Sequence, residues 1–288
     1  LFNNEKDYVI AADTDSLYIT MEDMVNDRFK DLPFDPEETA VVEFLDKVGD
    51  GPLQDVIDKA YNDLAEYVNA FEQKMFMKRE GISSKGIWTA KKHYILNVWN
   101  NEGVQYEKPK LKMMGIEAVK SSTPSACRGS LKKSFEVIMN KNEDPLQDFV
   151  IKFRKAFDEL PIEDVCFPRS VKCLSKYRDN RDIYKQGTPI HVRGSLLYNN
   201  LLAKHKLSLK YSSIQEGEKI KFVYLKMPNP IRENVIAMVD GLPPEFGLDK
   251  YIDRDLMFDK TYKLPLNDIV EKIGWSLEKR NSIEDFFG

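Results

Sequence analysis

Between residues 8 and 20 two apolar runs, Tyr8-Val9-Ile10-Ala11-Ala12 and Leu17-Tyr18-Ile19, flank the polar tip Asp13-Thr14-Asp15-Ser16. Val, Ile and Tyr favour a pleated, half-buried surface, and the polar interruption reads as the turn of a β-hairpin. Residues 21–36 are polar and acidic with Pro33 and Pro36, which predicts loop with a short helix, and 38–47 form a short amphipathic segment. Gly51-Pro52 then opens the clearest helical period in the chain: Leu53, Val56, Ile57, Ala60, Tyr61, Leu64, Tyr67, Val68, Phe71 and Met75 recur at i, i+3, i+4 and i+7. Pro at an early helical position loses little, because its missing N–H would be unpaired there anyway. Such a stripe predicts a helix buried along its apolar face, on the back of the hairpin's sheet. Strand pattern follows over 86–89 running on into 91–99, then over 104–112, with Asn100-Asn101-Glu102-Gly103 as the turn.

The character changes at Gly115. Thr123-Pro124 caps a helix to about residue 139, and Asp144-Pro145 opens another to about residue 160. Residues 162–186 are irregular and rich in charge, 190–204 read as helix and 219–225 as strand. Residues 228–244 carry four prolines and read as loop, and 253–257 and 266–273 as short helices. No internal repeat appears. The expectation is an α+β fold: an antiparallel sheet backed by helices over 1–114, a mostly helical domain over 115–281, and a tail over 282–288.

Composition narrows the class. The chain has 288 residues, 42% hydrophobic and 31% charged, as expected of a globular protein with room for two cores. No apolar run approaches the roughly 20 residues that span a bilayer, so no membrane partner is expected. Cys127, Cys166 and Cys173 are odd in number, lack metal-site spacing, and read as reduced thiols. The chain begins with Leu, and strand pattern starts almost at once, which reads as one part of a larger chain or one half of a split gene.

Net charge of −4 conceals an asymmetry. Residues 1–80 hold 20 Asp/Glu against 8 Lys/Arg, whereas 85–133 hold 10 Lys/Arg against 3 Glu. A basic block after an acidic one fits a polyanion track beside a cation site, and a solvated charged face is the plainer alternative. Asp13 and Asp15 lie two apart, so in extended chain both carboxylates point to one side, as a hard cation such as Mg²⁺ requires. An ordinary Asp-bearing turn accounts for the same spacing.

Several ordered segments shift the balance. Asp13-Thr14-Asp15-Ser16 resembles motif C of the family B DNA polymerases, the carboxylate hairpin of the palm. The fit to that family's motif A, through Asp13-x-x-Ser16-Leu17-Tyr18, is looser. Trp88-Thr89-Ala90-Lys91-Lys92-His93-Tyr94 resembles the Lys-Lys-Arg-Tyr segment of the phage members, with His93 in place of Arg. Lys110 to Lys120, around Gly115 and Glu117, resembles the palm-to-thumb junction. Pro189-Ile190-His191-Val192-Arg193-Gly194 resembles the thumb's Pro-x-His-x-Arg-Gly core, in which His191 reads as packed. Ser282 to Gly288 is similar to the clamp-binding C-terminus of T4-like polymerases.

The resemblance implies palm over 1–114, thumb over 115–281 and in-line attack of a primer 3′-hydroxyl on the dNTP α-phosphate with two Mg²⁺ ions. Asp15 and Asp13 would ligate the metals with help from the Thr14 backbone. Lys91, Lys92, His93, Tyr94, Lys110, Lys112, Lys120 and Arg193 would contact primer–template DNA. Arg79 and Lys85 are weaker DNA candidates, and Glu80 a candidate outer-sphere carboxylate. Ile283, Phe286 and Phe287 would dock on a sliding clamp. No segment matches motif A, the fingers motif or an exonuclease carboxylate set, so the N-terminal part of the polymerase is an implied partner and the chain alone is expected to be inactive. The implied setting is the cytoplasm of an infected bacterium. Two rivals remain: another palm-type two-metal enzyme such as a nucleotide cyclase, and a non-catalytic duplex-DNA-binding module with a palm-like hairpin.

Overall fold

The computed structural model describes residues 6–179 and 182–279. Two compact units divide the chain, 1–114 and 115–288, and Gly115 at the boundary has φ +68°, a left-handed conformation that glycine adopts without strain. Helices combine with three antiparallel sheets, so the class is α+β.

The first unit begins with the expected hairpin, β1 (Val9–Asp13) against β2 (Ser16–Ile19). Helices α1 (Glu22–Phe29) and α2 (Glu38–Val48) follow. A wide turn, Gly49–Leu53, containing Pro52 and a non-helical Gly51, joins α2 to α3 (Gln54–Tyr67). The helix expected to start at Gly51 is therefore a continuation bent at a Gly-Pro pair. The burial expected for its stripe is not found: α3 contains no buried residue, and Tyr67 and Phe71 are 88% and 105% exposed. Periodicity dictates that a helix has an apolar face; it does not supply the surface that covers it.

A three-stranded sheet follows in the order β3 (Gly81–Ala90), β4 (His93–Asn101), β5 (Val104–Met114). The run expected to continue from 86 to 99 is folded back on itself, with Trp88 paired to Tyr94 and Ala90 to His93. Lys91-Lys92 is the turn, and Lys92 adopts φ +61° there. One face of the sheet buries Tyr94, Leu96 and Val98, with Tyr18, Trp88 and Tyr106 packed against them.

The second unit runs α4 (Ser125–Asn140), α5 (Glu143–Glu159), α6 (Ile162–Val165), β6 (Phe167–Ser170), α7 (Leu174–Tyr177), α8 (Ile190–Lys204), β7 (Lys219–Tyr224), β8 (Val235–Met238), α9 (Arg254–Phe258) and α10 (Leu264–Val270). Strands β6 and β8 lie in stretches whose sequence reads as irregular or loop. Both are four residues long, and both pair with β7, which supplies the ladder that local pattern does not announce. Phe153, Phe157, Phe258 and Tyr262 form an aromatic core in which the Phe153 and Tyr262 ring centres are 4.6 Å apart. Arg254 donates to the carbonyls of Phe157 and Leu160, both at 2.9 Å, closing the C-terminal end of α5. All three cysteines are free, and burial pushes the Cys127 and Cys166 thiols up to about 11, which leaves them inert.

Helix α8 rests on β8 through Gly194, where a Cβ would stand 3.0 Å from the Ala237 nitrogen. The strand it meets, β8, is buried along its whole length. Gly194→Val should therefore destabilise the second unit by about 2–3 kcal/mol, read by urea unfolding. His191, on the same helix, has its imidazole pKa lowered by burial and by Arg169. Its folded pKa lies below the ordinary 6.5, so its share of stability is present above that pH and is lost as pH falls through it. His191→Gln should flatten the fall in stability between about pH 7 and pH 5, measured by unfolding across that range.

Candidate active site

Two hairpin tips in the first unit meet. Asp13 ends β1 and pairs with Ser16, leaving Thr14-Asp15 as a two-residue turn. Thr14 has φ +54°, a region uncommon for residues other than glycine, and the turn is closed by the Asp15 N–H donating to the Asp13 carbonyl at 2.7 Å. The Ser16 hydroxyl donates to the same carbonyl at 3.2 Å, and the Thr14 hydroxyl to Asp13 Oδ1 at 3.3 Å. Strand alternation is thus not what relates the two carboxylates, because Asp15 lies in the turn rather than on the strand with Asp13.

Across from this turn is the tip Lys91-Lys92, and Lys92 Nζ lies 3.6 Å from Asp13 Oδ2. Three rings hold the tips together. Tyr18 of β2 packs edge-on against Trp88 at 5.4 Å between centres and against Tyr94 at 5.6 Å. Burial, then the hydrogen bond with Tyr94, raises the Tyr18 phenol above its ordinary range, so it stays neutral beside the carboxylates. Of the expected DNA contacts, Lys91, Lys92 and His93 are exposed at the tip. Tyr94 is only 6% exposed and belongs to the packing beneath it.

Lys110 and Lys112 stand on β5 opposite Val98 and Leu96, on the face that carries the aromatic cluster. Lys110 Nζ sits 4.0 Å above the Tyr106 ring. Lys112 donates to the Glu80 carboxylate, which raises the lysine's pKa. Glu80 is thereby committed to Lys112. Arg79 is a structural residue: its guanidinium is 10% exposed and bonds Asp46 and Asn100.

In the second unit Lys120 pairs with Glu117 at 2.7 Å and borders a cleft of about 360 Å³ shared with Thr123, Arg169, Lys260 and Asp268. Arg169 and Lys260 escape sequence reading because they lie 49 and 140 positions beyond Lys120 and carry no shared motif. Arg169 donates to the Ser122 and Pro168 carbonyls at 2.8 and 2.9 Å. Arg193, on α8, is held by Asn234 and lies 5.7 Å from the Tyr184 ring centre. Ile283, Phe286 and Phe287 lie outside the described residues.

The fit to a hard cation rests on donor chemistry. Two carboxylates and an exposed turn suit Mg²⁺, which commonly takes one or two protein carboxylates and completes its shell with water and phosphate oxygens. Among the described residues no group of three or more His, Cys, Asp or Glu side chains gathers at one point. No helix among them is long and apolar enough to cross a membrane.

Comparison with known proteins adds to this geometry. The profile of the divergent family B DNA polymerases matches residues 3–149. A DNA-directed DNA polymerase of Enterobacteria phage T4 is 32% identical over 301 positions, covering 99% of this chain and 32% of that protein. A DNA-directed DNA polymerase of Escherichia phage RB69 is 32% identical over 292 positions, covering 97% of this chain and 32% of that protein. The chain thus spans about a third of the length of the curated relatives it matches.

The burial of Tyr94 and the exposure of Lys91 separate packing from contact. Tyr94→Ala should cost the first unit about 3 kcal/mol in urea unfolding. Lys91→Ala should change it by no more than about 0.5 kcal/mol. Equal effects would remove the aromatic cluster as the support of the two tips.

Proposed function

The chain belongs to the family B DNA polymerases, and from that premise we propose that it is the C-terminal part of such an enzyme, with the end of the palm in 1–114 and the thumb in 115–281. The observation that carries this reading is the meeting of the Asp13–Asp15 turn with the Lys91–Lys92 tip, Asp13 and Lys92 being 3.6 Å apart. Carboxylates that hold cations and ammonium groups that hold DNA phosphates must lie side by side in an enzyme that joins nucleotides to a primer.

In this reading Asp15 and Asp13, with the Thr14 backbone, would hold two Mg²⁺ ions, which would supply Lewis-acid neutralisation of phosphoryl charge and a more acidic 3′-hydroxyl. Lys92 stands beside Asp13 and exchanges that contact for a DNA phosphate as the primer terminus arrives. Tyr18, Trp88 and Tyr94 keep the turn in place and exclude water from beneath it. Lys110 and Lys112 grip the duplex from β5, with Lys120 and Arg193 serving the thumb. Incoming dNTP is bound by the part of the polymerase that this chain does not span, so the chain alone is inactive. Ile283, Phe286 and Phe287 dock on a sliding clamp and confer processivity.

Removing one carboxylate from a site that holds two cations should remove about 4 kcal/mol of charge stabilisation, or roughly 10³-fold in rate. Asp15→Ala in the assembled polymerase should therefore abolish primer extension while duplex binding survives, and Asp13→Ala should be milder. Extension at near wild-type rate by Asp15→Ala would overturn the assignment.

Each phosphate neutralised contributes about −0.9 to the slope of log K against log salt. Replacing Lys110, Lys112 and Lys120 together by Ala should flatten that slope by up to roughly 2.7. An unchanged slope would make them a solvated face. For the tail, deletion of 282–288 should leave melting and distributive synthesis unchanged and abolish only clamp-dependent long products, because tethering acts through effective concentration. Equal processivity with and without the tail would refute docking.

A further inference from the structure

Beyond α10 the chain turns at Gly274, φ +74°, and 275–279 run on as an irregular segment tied to the first half of α5. Trp275 N–H donates to the Val270 carbonyl, and from there side chains take over from backbone. Gln147 Nε2 donates to the Ser276 and Glu278 carbonyls at 2.9 and 3.2 Å, and the Ser276 N–H donates to the Glu143 carboxylate. The Ser276 hydroxyl donates to the Glu278 carbonyl and accepts from the Glu278 N–H, both at 3.1 Å. Leu277, between them, is 5% exposed, and Lys263–Glu278 and Lys279–Asp148 pairs at 2.7 and 2.8 Å flank it. Gln147 is the unexpected member. It is buried on the α5 face that also buries Leu146, Val150, Phe153 and Phe157, where an apolar side chain would pack without polar cost. A buried amide costs free energy unless it is hydrogen-bonded, and here both bonds from its nitrogen go to this segment.

We propose that 275–279 form a strap, and that its attachment to α5 through Gln147 fixes the point from which the tail 282–288 reaches the sliding clamp. The inference deepens the clamp-docking reading and rests on it. Segments that follow the last helix of a domain are poorly ordered unless tied down, and this one is tied by a buried amide, a buried leucine and two ion pairs. Only 280–282 separate Lys279 from Ile283. Four Cα steps span at most roughly 14 Å, so the anchor dictates where beside α5 the clamp is engaged. Released from Gln147, the tether begins after Gly274, and its free length grows from three residues to eight. Effective concentration falls as roughly the −3/2 power of tether length, so release lowers it about fourfold. Gln147 is on this account a positioning residue for clamp engagement and takes no part in the chemistry.

Amide hydrogen exchange and primer extension together test the strap. In this chain the Ser276 and Glu278 amides should exchange at least about 10-fold more slowly than in a free peptide of 275–288, read by mass spectrometry. Gln147→Met and, separately, Leu277→Asp should abolish that protection. Leu277→Asp acts from the strap itself, so the test stands even where Gln147→Met unsettles α5. The assembled polymerase carrying either variant then extends a long template with and without a loaded clamp. Clamp-dependent products should shorten about fourfold while distributive synthesis is unchanged, a split that general loss of structure would not give. Free-peptide exchange rates in the unmodified chain overturn the proposal. So do undiminished clamp-dependent products from a variant whose strap is shown by exchange to be released. Deletion of 282–288 in the same assay keeps the two readings apart. Long products lost on deletion but kept on release remove the anchor and leave clamp docking standing. Deletion without effect removes clamp docking, and the anchor's role with it, even where exchange shows the strap held.

Discussion

Packing of Tyr18 against Trp88 and Tyr94 is the contact on which the site depends. The Asp13–Asp15 turn belongs to a two-stranded hairpin, and the Lys91–Lys92 turn to a separate sheet. Neither backbone ladder fixes the distance between the two tips. Three aromatic rings, one from the hairpin and two from the sheet, do so by burying apolar area at a place where both strands change direction. Each tip also holds a non-glycine residue at positive φ, Thr14 and Lys92. Strained turn residues of this kind persist only where surrounding packing over-determines them, and here the same rings lie beneath both.

Within each unit, lysines of the basic block are already paired. Lys92 faces Asp13, Lys112 faces Glu80 and Lys120 faces Glu117, while Lys110 lies over Tyr106. These pairs are at least partly exposed and individually worth little. Lys92 is distinct among them, because the carboxylate it faces is one of the two that suit a cation.

The two units differ in how completely they satisfy themselves. In the second, Gly194 lets α8 press onto β8, and four aromatic rings form a core that includes Tyr262, whose hydroxyl shares a hydrogen bond of 2.7 Å with Ser134. In the first, sheet β3–β5 buries one face while α3 contains no fully buried residue and only half-buries Ile57, Tyr61 and Ala65. Apolar surface left in water costs free energy in proportion to its area.

Local chemistry made much of this legible from the residues alone. Two apolar runs of Val, Ile and Tyr around Asp13-Thr14-Asp15-Ser16 announced a hairpin, the 3.6 period announced α3, and Thr123-Pro124 and Asp144-Pro145 announced the starts of α4 and α5, because these signals are properties of neighbouring residues. The family, too, was readable in ordered short segments. What sequence did not determine is everything that depends on partners distant in the chain. The short strands β6 and β8 exist because β7 pairs with them, and the fold-back at Lys91–Lys92 exists because Trp88 finds Tyr94 across the sheet. Tyr94 turned inward and Arg79 was claimed by Asp46 for the same reason. Whether an apolar stripe is core or interface was likewise decided only in three dimensions, since periodicity orients a face and burial requires a second surface to meet it.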